Sequence, residues 1–244
     1  MALVGLIAVS VAGVASAAGG GPVTAEAGNL KFTFDGQFTP SKLPKKKMVP
    51  ILLSASGKIA TKDGTHPPAL KEVEVETDKN GSINVKGVPK CTSGKLQSRD
   101  TKSAEKVCGK AIIGTGKTNV EIKFPEQPAI PVTSKLLVIN GGTAGGTTTL
   151  FIHAYITVPT PAAIVTTLKI KKHRHGRYGL KTIATIPKIA GGSGSVTSFN
   201  LKVDNKKKVI YAKCPDGKLQ AHATAKFANG EKVSAGIIRT CTGK

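Results

Sequence analysis

The sequence predicts an all-β protein: an immunoglobulin-like β-sandwich assembly of two related halves, with one short helix near residues 99–108. Three observations carry that prediction. Apolar residues recur with period two in short runs, and long helix-period stretches are missing. Glycine (28 residues) and proline (14) punctuate the chain every few positions, as turns between short strands require. Aromatics make up 4% and tryptophan is absent, so a hydrophobic content of 39% must build its core from Val, Ile, Thr and Ala, which suit stacked sheets.

The two halves are read from a repeated octapeptide, Lys90-Cys91-Thr92-Ser93-Gly94-Lys95-Leu96-Gln97 and Lys213-Cys214-Pro215-Asp216-Gly217-Lys218-Leu219-Gln220. Each copy reads as strand, cysteine, tight turn and strand, and each has a second cysteine downstream, Cys108 and Cys241. Upstream, Val73, Val75 and Thr77 before Asp78 run parallel to Phe199, Leu201 and Val203 before Asp204. Four cysteines allow three connectivities. The repeat favours local disulfides, Cys91–Cys108 and Cys214–Cys241, each worth roughly 3 kcal/mol by loop closure. At 244 residues the chain accommodates two packed domains, residues 18–130 and 131–244 with a boundary near 125–135, or one larger pseudo-symmetric sandwich.

In order, Asn29 to Asp35 alternates Leu30, Phe32 and Phe34 against polar neighbours, an opening strand. Met48 to Ala60 is a longer strand, with Pro50 where only a strand start or an edge tolerates it. Leu70 to Glu76 alternates apolar with acidic residues, so one face is wet; Asn80-Gly81 then predicts a hairpin into Ser82–Val85. Arg99 to Val107 is the helix candidate, with Asp100 or Thr101 as cap. Strands follow at 111–114 and 119–124, separated by a glycine turn, and then at 134–139, 147–158, 164–171, 178–186 and 196–203. A closing hairpin turns at Asn229-Gly230.

The N-terminus carries an apolar run from Leu3 to Val14 followed by Ala15-Ser16-Ala17. An h-region of that length before an A-x-A site predicts a signal peptide, residues 1–17, although Met1-Ala2 offers no basic residue. The expected location is therefore extracellular or in the cell envelope, with no transmembrane segment in the mature chain.

Several stretches carry a resemblance: Thr65-His66-Pro67-Pro68-Ala69-Leu70, Phe124-Pro125-Glu126-Gln127, Arg177-Tyr178-Gly179, Ile186 to Gly192 and Cys214-Pro215-Asp216-Gly217. With the signal-like start, the chain resembles a group of uncharacterised secreted proteins from actinobacteria over nearly its whole mature length. That resemblance implies export and a β-rich fold, and it brings no catalytic residues.

Motifs for chemistry are sparse. Gly114-Thr115-Gly116-Lys117-Thr118 lacks the first glycine of a phosphate loop, Ala111 standing there, and a strand rather than a helix follows it. Ser195 stands where a nucleophile elbow needs its last glycine. No C-x-x-C or close Cys-His pair suggests zinc. In Lys171-Lys172-His173-Arg174-His175-Gly176-Arg177 the two histidines share a face of an extended run, but no carboxylate lies nearby in sequence. The cluster is read as a solvated basic loop, and no metal or other cofactor is expected. His153 is expected as a half-buried sheet residue. Glu72, Glu74 and Glu76 alternate on one strand face, a spacing for ion pairs with lysine rather than for a catalytic pair.

A net charge of +22 attracts polyanions. Only Arg99, Arg174, Arg177 and Arg239 are arginines, and aromatics for base stacking are few, so specific nucleic-acid recognition is not expected. The leading expectation is a non-enzymatic secreted or envelope-associated β-sandwich with a structural or adhesive role. A second is binding of extracellular polyanions, such as anionic cell-wall polymers, through Lys45, Lys46 and Lys47, through Lys171, Lys172, Arg174 and Arg177, and through Lys206, Lys207 and Lys208. A hydrolase is the third, with no residues selected for it.

Overall fold

The computed structural model describes residues 16, 17 and 20–243. The expected leader lies outside the described residues apart from Ser16 and Ala17.

The chain is mostly β. After β1 (Ser16–Ala17) come β2 (Val23–Ala27) and β3 (Leu30–Thr39), a hairpin that buries Val23, Ala25, Leu30, Phe32 and Phe34 on one face. Next, β4 (Lys42–Leu43) and β5 (Val49–Pro50) flank the exposed Lys45–Lys47 loop. Pro50 lies on an edge strand, where its missing N–H breaks no ladder. Then follow β6 (Leu52–Thr61), β7 (Leu70–Asp78) and β8 (Gly81–Ile83). Helix α1 (Thr101–Cys108) starts where expected: the Asp100 carboxylate accepts from the Ser103 N–H at 2.6 Å, satisfying an orphan amide of the first turn. A meander of long strands comes next, β9 (Ile112–Ile122), β10 (Ile130–Ala144), β11 (Thr147–Ile156), β12 (Ala162–His175) and β13 (Tyr178–Thr185). Gly145 and Gly146 join β10 to β11 with φ of 53° and 72°, a two-residue turn that needs positive φ at both positions. The chain closes with β14 (Gly194–Val203), β15 (Ile210–Ala212), β16 (Lys218–Phe227), β17 (Lys232–Thr240) and β18 (Thr242–Gly243).

Thirteen strands form one sheet in the order β1-β17-β16-β7-β13-β12-β11-β10-β9-β14-β6-β3-β2, antiparallel except for β1 on β17. A twisted sheet this wide curls, and here its two ends meet. Val23, Ala25, Phe32 and Phe34 from one end share a core with Ala223, Ala225, Phe227, Val233, Ala235 and Ile237 from the other. The Arg239 Nε–H donates to the Gly36 carbonyl at 2.8 Å across the seam. The result is a barrel closed by packing. A three-stranded sheet, β5-β15-β8, lies across one end, and β18 pairs with β4 beside it. α1 packs on the outer wall, where Leu137, Ile139 and Phe151 face Cys91, Leu96, Ala104 and Cys108.

Both local disulfides form, Cys91–Cys108 with a Cα separation of 5.7 Å and Cys214–Cys241 with 6.0 Å. Several expectations meet a different arrangement. Instead of two sandwich halves, strands from both sides of residues 125–135 interleave: β7 lies between β13 and β16, and β14 between β6 and β9. The two octapeptides also diverge. The second runs through a turn into β16, whereas the first enters a 3-10 turn at Ser93–Lys95, because Leu96 is buried under α1. Asn80-Gly81 makes no hairpin; the Asn80 N–H bonds the Asp78 carboxylate and β8 departs to pair with β15. Gly114 to Thr118 is not a turn but the middle of β9. A Cβ on Gly114 or Gly116 would lie 2.3 Å from the Lys202 carbonyl oxygen or 2.0 Å from that of Asn200, so glycine permits the close approach of β14.

Candidate binding cavity

Alternation decides what faces inward. Along β10 and β11 the inward residues include Leu136, Val138, Leu150, Ile152, Ala154 and Ile156; along β12 and β13 they include Ile164, Thr166, Leu168, Ile170, Leu180, Thr182 and Ala184. These side chains do not meet across the barrel, and a cavity of ≈ 390 Å³ remains. That volume lies within the range of small-molecule pockets, roughly 300–1,000 Å³. Phe199 and Leu201 from β14 and Phe34 from β3 line the opposite wall.

Polar groups gather at the end covered by the three-stranded sheet, where Gln37, Asp78, Ser82, Tyr211, Gln220 and Arg239 border the cavity. Asp78 is 3% exposed and accepts from three donors: the Asn80 N–H at 2.9 Å, the Gln220 N–H at 3.2 Å and the Arg177 Nε–H at 2.7 Å. Arg177 also forks onto Asp216 and donates to the Lys218 carbonyl at 2.8 Å. Asp216 and then Asp78 hold its guanidinium even more firmly charged than usual, and the same fork keeps the Asp216 carboxyl below its ordinary range. Arg239 is ion-paired with Asp35.

On the outer wall the acidic strand finds its partners. Glu72 pairs with Lys226 at 2.7 Å, and Glu74 with Lys181 at 2.5 Å and Lys226 at 3.6 Å. Burial alone would raise the Glu74 carboxyl, but the two lysines hold it below its ordinary value. Glu76 is ion-paired with no lysine among the described residues, its register partner Lys181 being drawn to Glu74; its oxygen lies 2.9 Å from His173 Nε2 and 3.8 Å from His175 Nδ1. The expectation of no metal ligands rested on the absence of a nearby carboxylate in sequence, and β7 supplies one from about a hundred residues upstream by packing two strands away from β12.

His153 is fully buried rather than half-buried, because α1 covers that face of β11. Its Nε2–H donates to the Arg99 carbonyl at 2.9 Å, while Nδ1 is buried without a hydrogen-bond partner among the described residues. Burial lowers its pKa below the ordinary value, against the opposing pull of the Arg99 carbonyl and Asp100.

The lysine runs are exposed at 45–47, 171–172 and 206–208, as is Arg174, and Arg177 is committed to Asp78 and Asp216 instead of solvent. All three runs border the covered end. Lys45–Lys47 precede β5, Lys206–Lys208 precede β15, and the β12–β13 turn reaches Lys79, whose N–H bonds the Arg177 carbonyl at 3.0 Å. The cavity was the feature that sequence reasoning missed; its only signal was an inward set on β9–β13 without any aromatic side chain. No helix among the described residues is long and apolar enough to cross a membrane. No protein-family model, curated protein or solved structure matches this chain.

Proposed function

We propose that this is a non-enzymatic, exported protein that binds an elongated apolar molecule inside its barrel, with any polar end of that molecule at the Asp78–Gln220–Arg239 side. The cavity is the observation that carries the reading: a large, nearly all-apolar space with a few polar groups at one end is the usual form of a small-molecule site. Its ionisable neighbours Asp78 and Arg239 are already ion-paired, which supports binding over acid–base chemistry. Export is supported by the leader pattern and by two disulfides, which persist in oxidising compartments. A purely structural or adhesive role would leave the hollow interior without a purpose.

The test is a titration with a fluorescent long-chain fatty acid. Saturable binding that is lost when Ala184→Trp fills the cavity supports the reading; no saturable binding, or binding unchanged by Ala184→Trp in a folded variant, overturns it. Polyanion binding is a second reading, favoured by the three lysine runs around one end of the barrel. It requires retention on a heparin column that falls steeply with salt and weakens when Lys45, Lys46 and Lys47 become Gln.

A further inference from the structure

We propose that Glu76, His173 and His175 form a binding site for a divalent transition ion, with Zn²⁺ as its best match. The donor set is two imidazoles and one carboxylate, a combination that zinc takes readily. The three ligand atoms already lie within 4.8 Å of one another, the Glu76 oxygen being 2.9 Å from His173 Nε2 and 3.8 Å from His175 Nδ1. Tetrahedral coordination with bonds of about 2.0–2.1 Å needs donors roughly 3.3 Å apart, so small side-chain rotations bring all three onto one ion.

The backbone fixes this arrangement. His173 and His175 lie at the end of β12, where its register with β13 shifts between Lys172 and His175, and both turn a ring nitrogen towards Glu76, with ring centroids 5.7 Å apart. Glu76 projects from the same outer wall of β7, with β13 lying between the two strands. Its side chain is only 15% exposed, so the carboxylate is held against the wall while His175, 74% exposed, leaves the approach from solvent open. The neighbouring acids separate themselves from the site: Glu72 and Glu74 are neutralised by Lys226 and Lys181, and Glu76 alone of the three faces imidazoles. Across from Glu76 on its other side, His222 of β16 is its register partner. The site lies on the outside of the barrel, so it stands or falls independently of the interior cavity.

Isothermal titration of tag-free, chelator-treated full-length chain with zinc chloride decides it. One ion per chain is expected, with affinity reduced at least about tenfold in Glu76→Gln, His173→Ala and His175→Ala, since even outer-shell partners of a metal commonly matter by 10–100-fold. His66→Gln, whose ring instead meets the Glu121 carbonyl, should bind as the parent does. Because His175 is largely exposed, its replacement leaves folding intact and keeps the comparison clean, and thermal melts of each variant check this. Absence of stoichiometric uptake by the parent chain, or equal uptake by the His173→Ala/His175→Ala double variant, overturns the proposal.

Discussion

The two flanks of the barrel solve the same packing problem differently. Where the sheet ends meet, Phe32, Phe34 and Phe227 pack with small partners, Ala223, Ala225 and Ala235, and the inner sides of Phe32 and Phe34 complete the cavity wall. Phe32 and Phe34 stack with centroids 6.1 Å apart. Along β9–β13 the inward residues are aliphatic or threonine, and no ring from these strands reaches across. Large against small closes a seam; branched aliphatics around a wide curve leave a hollow. The difference teaches that this barrel is held at its seam and left hollow along its wall.

The largest effect should come from breaking the packed seam. Phe32→Ala should cost about 3–5 kcal/mol, and Leu168→Ala on the hollow flank about 2 kcal/mol, since Phe32 is the larger side chain and is 1% exposed whereas Leu168 is only half-buried. Denaturant unfolding measures both, and equal losses would erase the distinction between the flanks.

The disulfides sharpen the comparison next. Replacing Cys214 and Cys241 by Ala, or Cys91 and Cys108 by Ala, should each cost about 3 kcal/mol by loop closure. The consequences should differ in place. Loss of Cys214–Cys241 loosens the covered end of the cavity, where Cys214 packs with Leu43, Ile51 and Ala212, and should weaken fatty-acid binding. Loss of Cys91–Cys108 loosens α1 on the outer wall and should leave binding intact; hydrogen exchange localises each change.

Overpacking gives a smaller contrast. Ala225→Leu in the seam should destabilise by about 1–3 kcal/mol, whereas Ala184→Leu should be near neutral because it grows into the cavity. Thermal melts of the two variants check the sign.

The smallest effect is a pH dependence on the outer side of the hollow flank. The folded His153 pKa lies below its ordinary value of 6.5, so the unfolded chain binds the extra proton first. Its contribution is present above the unfolded pKa and is lost as pH falls through the folded pKa. Stability of the parent should therefore fall more between about pH 7 and about pH 5 than that of His153→Gln. Parallel slopes in urea unfolding at the two pH values would show that His153 is not the group responsible.

Much of the local structure was legible from residue order. The alternation of Leu30, Phe32 and Phe34 marks an inward face, Asp100 marks a helix start, and the spacing of four cysteines in two units marks two local bridges. The Glu72-Glu74-Glu76 face was legible as paired and wet, though its partners were not. These features depend on period, capping and short loops, which act over a few residues.

Other features needed the tertiary structure. Glycines at 114 and 116 look like a turn until β14 approaches them, and the octapeptides look alike until Leu96 finds a core beneath α1. Whether two halves stand apart or interleave depends on which edges pair, and β7 pairs with strands more than a hundred residues away. The cavity exists only because a wide sheet curls before its inward side chains can meet, and Glu76 reaches His173 and His175 only because β7 and β12 flank the same strand. By itself the sequence determined which face of each strand is apolar, where the helix begins and which cysteines join, because those follow from neighbours along the chain. Only the fold decided the barrel, its hollow and its histidine–carboxylate cluster, because strand order and curvature are set by pairings between residues distant in sequence, and a local pattern does not encode its partner.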